Sequence, residues 1–207
     1  MSLLSAALND RVEEAQLLLA KGGVRIEERK MDGCSALMVS AQLGHSAIVK
    51  MLLDKGANVE AKANGGDTPL HRAVVGGLKR IVQMLLDKGA DPNVVSKDGC
   101  TPLHRAVQAM PLRASRKYPM LAVVRMLLDK GADVCARTRG GQTPEDLARL
   151  HASKSWIMAE ATGLLRAVAK RRAECEAFAM GHHERLGARS LVGGVDTDVV
   201  RMILDRV

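Results

Sequence analysis

The chain repeats itself with a period of 33 residues, and this repetition constrains its fold more than any other feature. The block LLDKGA occurs three times, beginning at Leu52, Leu85 and Leu127. The first two copies lie 33 residues apart and the last two lie 42 apart. A period of this length predicts a solenoid of small helical units, because one such unit cannot bury its own apolar face without a neighbour.

A second block keeps the same phase along the chain. It reads SALM at Ser35 and TPLH at Thr68 and Thr101, and its first two letters return at Thr143. These starts are spaced by 33, 33 and 42 residues, so both blocks place nine extra residues in the same repeat. We interpret the excess as an insertion at 110–120, between the two helices of that repeat.

Each repeat carries start and stop signals for two helices. A hydroxyl side chain followed by proline, as in Thr68-Pro69, is a strong helix start. Gly44 and Gly77 are expected to end the first helix, and the glycine of LLDKGA lies where a second helix ends in a left-handed residue. Glycine-containing pairs predict turns between successive repeats, at 32–33, 65–66, 98–99 and 140–141.

These motifs resemble those of the ankyrin family, through two copies of TPLHRA and three of LL-x-x-GA. The resemblance covers about residues 1–150 and implies an all-α solenoid of helix-turn-helix repeats with β-turn tips. The repeats are expected at about 1–31, 32–64, 65–97, 98–139 and 140–150, where the first is degenerate and only the first helix of the last is recognisable. Residues 151–207 do not follow the pattern and are expected to form a helical C-terminal cap or extension.

The resemblance also implies a function, because ankyrin repeats usually bind other proteins on a concave face. That face consists of the turn tips and the exposed positions of the first helices. The expected partner is therefore a protein whose identity the sequence does not name. Transferring the face position by position gives these residues: Met31, Asn64, Asp67, Val75, Lys97, Gln108 and Arg139.

Arg72 and Arg105 depart from the family pattern, because they replace the usual apolar residue after TPLH. They occupy the same position on the first helices of neighbouring repeats. One interpretation is that each arginine extends along an edge between helices to place its charge in water. The other is an arginine ladder that binds carboxylates or phosphates of a partner with two hydrogen bonds each.

The insertion at 110–120 is basic and contains the single tyrosine of the chain. A long loop on a folded scaffold is often functional, and arginine and tyrosine are enriched at binding hot spots. A tolerated surface insertion is the alternative, because lengthening a loop costs little free energy. The candidate binding residues in this segment are Arg113, Arg116, Lys117 and Tyr118.

An apolar helical stripe lies near the end of the chain, after the N-cap candidates Asp196 and Asp198. The stripe resembles the opening of an F-box, a motif that docks ubiquitin-ligase adaptors, although Asp196 stands where that motif has proline. A helix that folds back to cap the solenoid explains the same stripe. The candidate adaptor-binding residues are Val199, Val200, Ile203 and Leu204.

Composition weighs against other classes of function. The formal net charge of +8 is compatible with nucleic acid as a partner, but three scattered aromatic residues offer no stacking platform for bases. The chain has no Walker-type phosphate loop, no H-E-x-x-H and no nucleophile elbow. His71 and His104 occupy one position of TPLH, so we expect them to hold helix ends to the preceding turn rather than to bind a metal. We therefore expect a non-enzymatic protein without cofactor or metal.

The location and the association state follow from what the sequence lacks. No apolar run approaches the roughly 20 residues needed to span a bilayer, and the first residues lack the basic and apolar regions of a signal peptide. The four cysteines form no C-x-x-C pair. We expect a monomer of the cytoplasm or the nucleus that does not enter the membrane.

Overall fold

A computed structural model describes residues 2–22, 24–110, 120–151 and 156–185. The chain divides into two compact units, Met1–Leu165 and Arg166–Val207. Ten helices lie within the described residues. They are α1 (Leu3–Leu8), α2 (Val12–Lys21), α3 (Ala36–Leu43), α4 (Ser46–Asp54), α5 (Pro69–Val75), α6 (Lys79–Asp87), α7 (Pro102–Ala109), α8 (Met120–Asp129), α9 (Pro144–His151) and α10 (Trp156–Arg185).

The first helix of each repeat begins where the hydroxyl signal predicts. Ser35 caps α3 through a hydrogen bond from the Met38 N–H, and Thr101 caps α7 through one from the His104 N–H. Thr143 accepts from the Asp146 N–H, so the fifth repeat uses the same device. The glycines expected at helix ends all have positive φ: Gly44, Gly56, Gly77, Gly89 and Gly131.

The helices form two layers that alternate along the chain. The first helices of the repeats, α1, α3, α5, α7 and α9, pack in series, and the second helices, α2, α4, α6 and α8, pack in series beside them. Leu37, Leu70 and Leu103 occupy one position of the first helices and are at most 1% exposed. Each such leucine stabilises the fold by roughly 1.5–3 kcal/mol through burial alone. The expected all-α repeat solenoid is confirmed for the first unit.

Four turn tips join the repeats, at residues 30–33, 63–66, 96–99 and 138–141. Each closes with a hydrogen bond from the N–H of its last residue, a glycine, to the carbonyl of its first residue. Backbone bonds also connect each tip to the next. They run from the Asn64 N–H to the Asp32 carbonyl, from Lys97 to Gly65 and from Arg139 to Asp98, with N···O distances of 2.9, 3.0 and 3.0 Å.

Gly99 shows why the tips need glycine. Its φ is +80°, and a β-carbon added there would lie 2.7 Å from the backbone nitrogen of Arg139 in the next tip. Any other residue would therefore strain its own backbone and separate the tips. The predicted turn is confirmed, and its glycine also permits the close approach of the following repeat.

The fifth repeat is more complete than the sequence pattern indicates, since only its first helix was recognisable. The outer helix of the fourth repeat, α8, reaches the start of α10 through an ion pair between Arg125 and Glu160 at 3.4 Å. Ala161 and Leu165 of α10 are at most 1% exposed. The first turns of α10 therefore supply a second helix for the fifth repeat. In the second unit, α10 continues from Arg166 to Arg185 as the expected helical extension.

Candidate protein-binding surface

The turn tips and the exposed positions of α3, α5, α7 and α9 form one side of the repeats, which we call the inner face. Most of the predicted binding residues that the structure describes are exposed there. Met31 is fully exposed at the first tip, and Val75 is 36% exposed on α5. The remaining exposed members are Asn64, Lys97, Gln108 and Arg139.

The exposed helix positions recur in the same phase as the sequence repeat. Val75 and Gln108 are equivalent, and the same position holds Gln42 in α3 and Leu150 in α9. Leu150 is 61% exposed, and Leu43, next to Gln42, is 49% exposed. The sequence analysis did not name these last three residues, although stepping one period from Val75 or Gln108 reaches Gln42 and Leu150.

Asp67, Arg72 and Arg105 form a half-buried ion-pair network at the base of the tips. Arg72 contacts one carboxylate oxygen of Asp67 at 3.4 Å, and Arg105 contacts the other at 3.2 Å. Arg105 also contacts Asp98 at 3.0 Å. The two arginines are in register, as predicted, and the carboxylates that they hold belong to the chain itself.

Asp98 is the most strongly perturbed acid of this face. Burial alone would raise the pKa of its carboxyl, but hydrogen bonds from the Ser96 hydroxyl and the Cys100 N–H and the charge of Arg105 outweigh that effect. The pKa falls from 3.8 to about 2. Asp98 is therefore ionised at neutral pH, and its negative charge is already partnered within the chain.

His71 and His104 connect neighbouring repeats. Nδ1 of His71 accepts a hydrogen bond from the Thr68 N–H, and Nε2 lies 3.1 Å from the Cys100 carbonyl oxygen of the next repeat. His104 repeats this arrangement with Thr101 and the Gln142 carbonyl oxygen. The histidines thus hold the start of their own helix, as predicted, and also join it to the following tip. Burial lowers the pKa of both imidazoles, so both are neutral at pH 7.

An open depression of about 530 Å³, which we call the tip depression, lies between the third and fourth tips. Its walls include the side chains of Lys97, Gln108 and Arg139, which the sequence analysis had placed on the binding face. Cys100 and Asp98 line its floor and rim. Within the described residues, no group of three histidine, cysteine or acidic side chains could hold a metal ion.

A family model that describes ankyrin repeats in three copies matches the chain over residues 3–96 and 62–138. The chain belongs to the ankyrin-repeat family. The two matches include all four turn tips up to the start of the last one and every helix from α1 to α8. No curated protein matches the chain.

Ankyrin repeats are protein–protein interaction modules, and the family is generally non-enzymatic. The inner face described above is the side on which the exposed side chains of these ankyrin repeats recur from layer to layer. No described helix combines the length and the apolar composition that crossing a membrane requires.

Several predicted binding residues lie outside the part of the ankyrin-repeat chain that the structure describes. Met110 and Met120, on either side of residues 111–119, are buried. The residues outside are Arg113, Arg116, Lys117 and Tyr118 of the insertion and Val199, Val200, Ile203 and Leu204 of the C-terminal stripe.

Proposed function

We propose that this chain is a non-enzymatic scaffold that binds a protein partner through its inner face. The observation that carries the proposal is the recurrence of exposed side chains, from Gln42 to Leu150, on helices whose tips are joined by backbone hydrogen bonds. A surface held in place before binding loses little conformational entropy when the partner docks.

The inner face also has the mixture of chemistry that protein interfaces use. Met31, Leu43 and Val75 offer exposed apolar area, and Gln42 and Gln108 lie between or beside them with free amide groups at the surface. Apolar contacts supply most of the affinity in such an interface, while polar groups at its edge select the partner.

A pair of matched substitutions tests the inner face. Val75→Arg places a charge in the middle of the face, and Leu17→Arg places the same charge on the exposed side of α2, an outer helix. Affinity purification of the tagged chain followed by mass spectrometry should lose its specific partners with Val75→Arg and keep them with Leu17→Arg. Loss of partners with both variants, or with neither, contradicts the proposal.

The insertion is proposed as a second contact for the same partner. Replacing residues 111–119 with a short glycine linker should weaken binding while Val75→Arg abolishes it. The thermal midpoint of the deletion variant should stay within a few degrees of the parent, because loop shortening has a small effect on free energy. Unchanged affinity after the deletion removes the insertion from the binding surface.

A substrate receptor of a ubiquitin ligase is the second candidate, and the apolar stripe of the C-terminal residues favours it. In this case the inner face holds the target and the stripe docks an adaptor. Ile203→Asp with Leu204→Asp should abolish co-purification of an adaptor, while Arg201→Asp with Arg206→Asp should not. A lower thermal midpoint with the first pair would instead assign the stripe to capping the repeats.

We propose that the chain works as a monomer in the cytoplasm or the nucleus, without a cofactor. Nucleic acid is the less favoured partner, because the positive charge is not accompanied by a stacking platform. Binding to random oligonucleotides, titrated with salt, tests that alternative. Tight binding that persists at physiological salt would favour nucleic acid over protein.

A further inference from the structure

Lys97 and Arg139 occupy the same position of the third and fourth tips, where the first two tips carry Met31 and Asn64. The cationic side chains therefore follow each other in adjacent layers. Their backbones are held by the bonds from Lys97 to Gly65 and from Arg139 to Asp98, so the distance between the two layers is set by the fold. Both side chains are exposed and line the tip depression.

Neither cation is neutralised by the described part of the chain. Within it, no carboxylate lies within ion-pair distance of Lys97 or Arg139, whereas Arg72 and Arg105 are both paired. Asp98 is the acid that lines the depression, and its oxygens already accept from Ser96 and Cys100 and pair with Arg105. The depression thus presents positive charge whose counter-charge must come from outside.

The rest of the lining adds hydrogen-bonding groups without negative charge. Gln108 and Thr138 contribute an amide and a hydroxyl. Burial raises the pKa of the Cys100 thiol above its usual 9.0, partly offset by the charge of Arg105, so this group is a neutral thiol at pH 7. An anion in the depression would meet two cations and several polar groups and no competing unpaired acid.

We infer that the tip depression receives an aspartate or glutamate side chain of the protein partner, between Lys97 and Arg139. This inference rests on the proposed function, because it names the chemistry of the partner at one part of the inner face. A protein segment fits better than nucleic acid, because two cations are few for a phosphate backbone and no aromatic side chain lines the depression. The same segment can continue along the inner face over Gln108 and Val75.

Selection of peptides from a random display library on the immobilised full chain tests the inference. Selected peptides are synthesised with a fluorescent label, and their affinity is measured by anisotropy. The inference predicts that inner-face peptides share an acidic residue and that its replacement by glutamine weakens binding about tenfold. A phosphorylated peptide and a single-stranded oligonucleotide of the same length are measured beside them.

Charge reversal supplies the decisive variant. The pair Lys97→Glu and Arg139→Glu should weaken the acidic peptides at least about tenfold and should restore affinity for peptides whose acid is replaced by lysine. Lys50→Glu with Lys79→Glu makes the same change of net charge on exposed positions of α4 and α6 and should leave both affinities unchanged. Matching thermal midpoints for the two double variants show that folding is preserved.

The outcomes separate the inference from the proposed function. Peptides that are lost with Val75→Arg but carry no shared acid, or ignore the reversal at Lys97 and Arg139, overturn the inference and leave the proposed function standing. A selection without any peptide sensitive to Val75→Arg contradicts both. Tighter binding of the phosphorylated peptide or the oligonucleotide, lost on the same reversal, overturns the carboxylate assignment in favour of phosphate.

Discussion

The two edges of the repeats are linked in different ways, although both links recur with the sequence period. At the tips, backbone hydrogen bonds and the buried His71 and His104 join each repeat to the next. Along the outer helices, Lys88 reaches Asp54 at 3.1 Å and Lys130 reaches Asp87 at 3.2 Å, with all four side chains about half exposed. Exposed ion pairs contribute about 0–1 kcal/mol, whereas leaving a buried polar group unpaired costs about 1–3 kcal/mol.

The comparison explains why the inner face is the better binding surface. Its layer spacing is set by bonds that solvent does not compete for, so its side chains stay in place between binding events. The outer edge carries the more visible repeated motif, LLDKGA, but the Asp-Lys part of that motif contributes little. In that block the leucines and the glycine do the stabilising, through burial and through the helix end.

The largest effect is expected from removing a buried histidine. His71→Ala leaves the Thr68 N–H and the Cys100 carbonyl without their partner and opens a cavity, so unfolding free energy should fall by about 3 kcal/mol. His71→Met copies Met38 of the second repeat and should cost less, because it fills the space. Urea denaturation measures both, and equal losses would show that the hydrogen bonds add nothing beyond packing.

A smaller effect is expected from a pair of glycines that share a positive φ. Gly131→Ala has open space around it and should cost about 1 kcal/mol for the left-handed backbone. Gly99→Ala also meets the Arg139 backbone and should cost about 2 kcal/mol in the same denaturation experiment. If the two losses are equal, the close approach of neighbouring tips is not a source of stability.

Stability should also depend on pH through the same histidines. Burial lowers the pKa of His71 and His104 from the ordinary 6.5, so the unfolded chain binds more protons below that pH. Their contribution is complete above pH 6.5 and declines as the pH falls from there through the lowered pKa values. The contribution of Asp98 is lost separately, between 3.8 and about 2.

The urea midpoint, measured from about pH 7.5 to about pH 5, should therefore decrease on acidification. The decrease should be smaller in His71→Met, which retains only His104. A midpoint that rises or stays level in the parent chain over this range would contradict the burial of neutral imidazoles.

The smallest effect is expected on the outer edge. Lys88→Ala and Lys130→Ala each remove one exposed ion pair and should change the unfolding free energy by less than about 0.5 kcal/mol. The pair measured together should be nearly additive, because the two bridges share no residue. A loss above about 1 kcal/mol for either lysine would mean that the two edges contribute alike, contrary to the comparison drawn here.

Much of this fold could be predicted from the sequence, because its signals are local. Thr68 and Pro69 mark a helix start by their own chemistry, and the glycines of the tips mark turns by their backbone freedom. The position of Val75 and Gln108 on the inner face follows from the period alone. These predictions needed no knowledge of which residues meet across repeats.

The missed features depend on contacts between repeats. Asp67 stands where the neighbouring repeats have Cys34 and Cys100, and nothing local indicates that it pairs with Arg72 and with Arg105 of the next repeat. The outer helix of the fifth repeat was missed because Ala161 and Leu165 bury its face without the LLDKGA motif and at a longer offset. Such features appear only when the layers are stacked.

Amide hydrogen exchange of the full chain, free and saturated with a captured partner or selected peptide, tests the central claim most directly. The account predicts that binding slows exchange in the tips at 63–66, 96–99 and 138–141 and in α5 and α7, and leaves α4 and α6 unchanged. New protection on the outer helices, with none at the tips, would contradict the claim that the inner face is the binding surface.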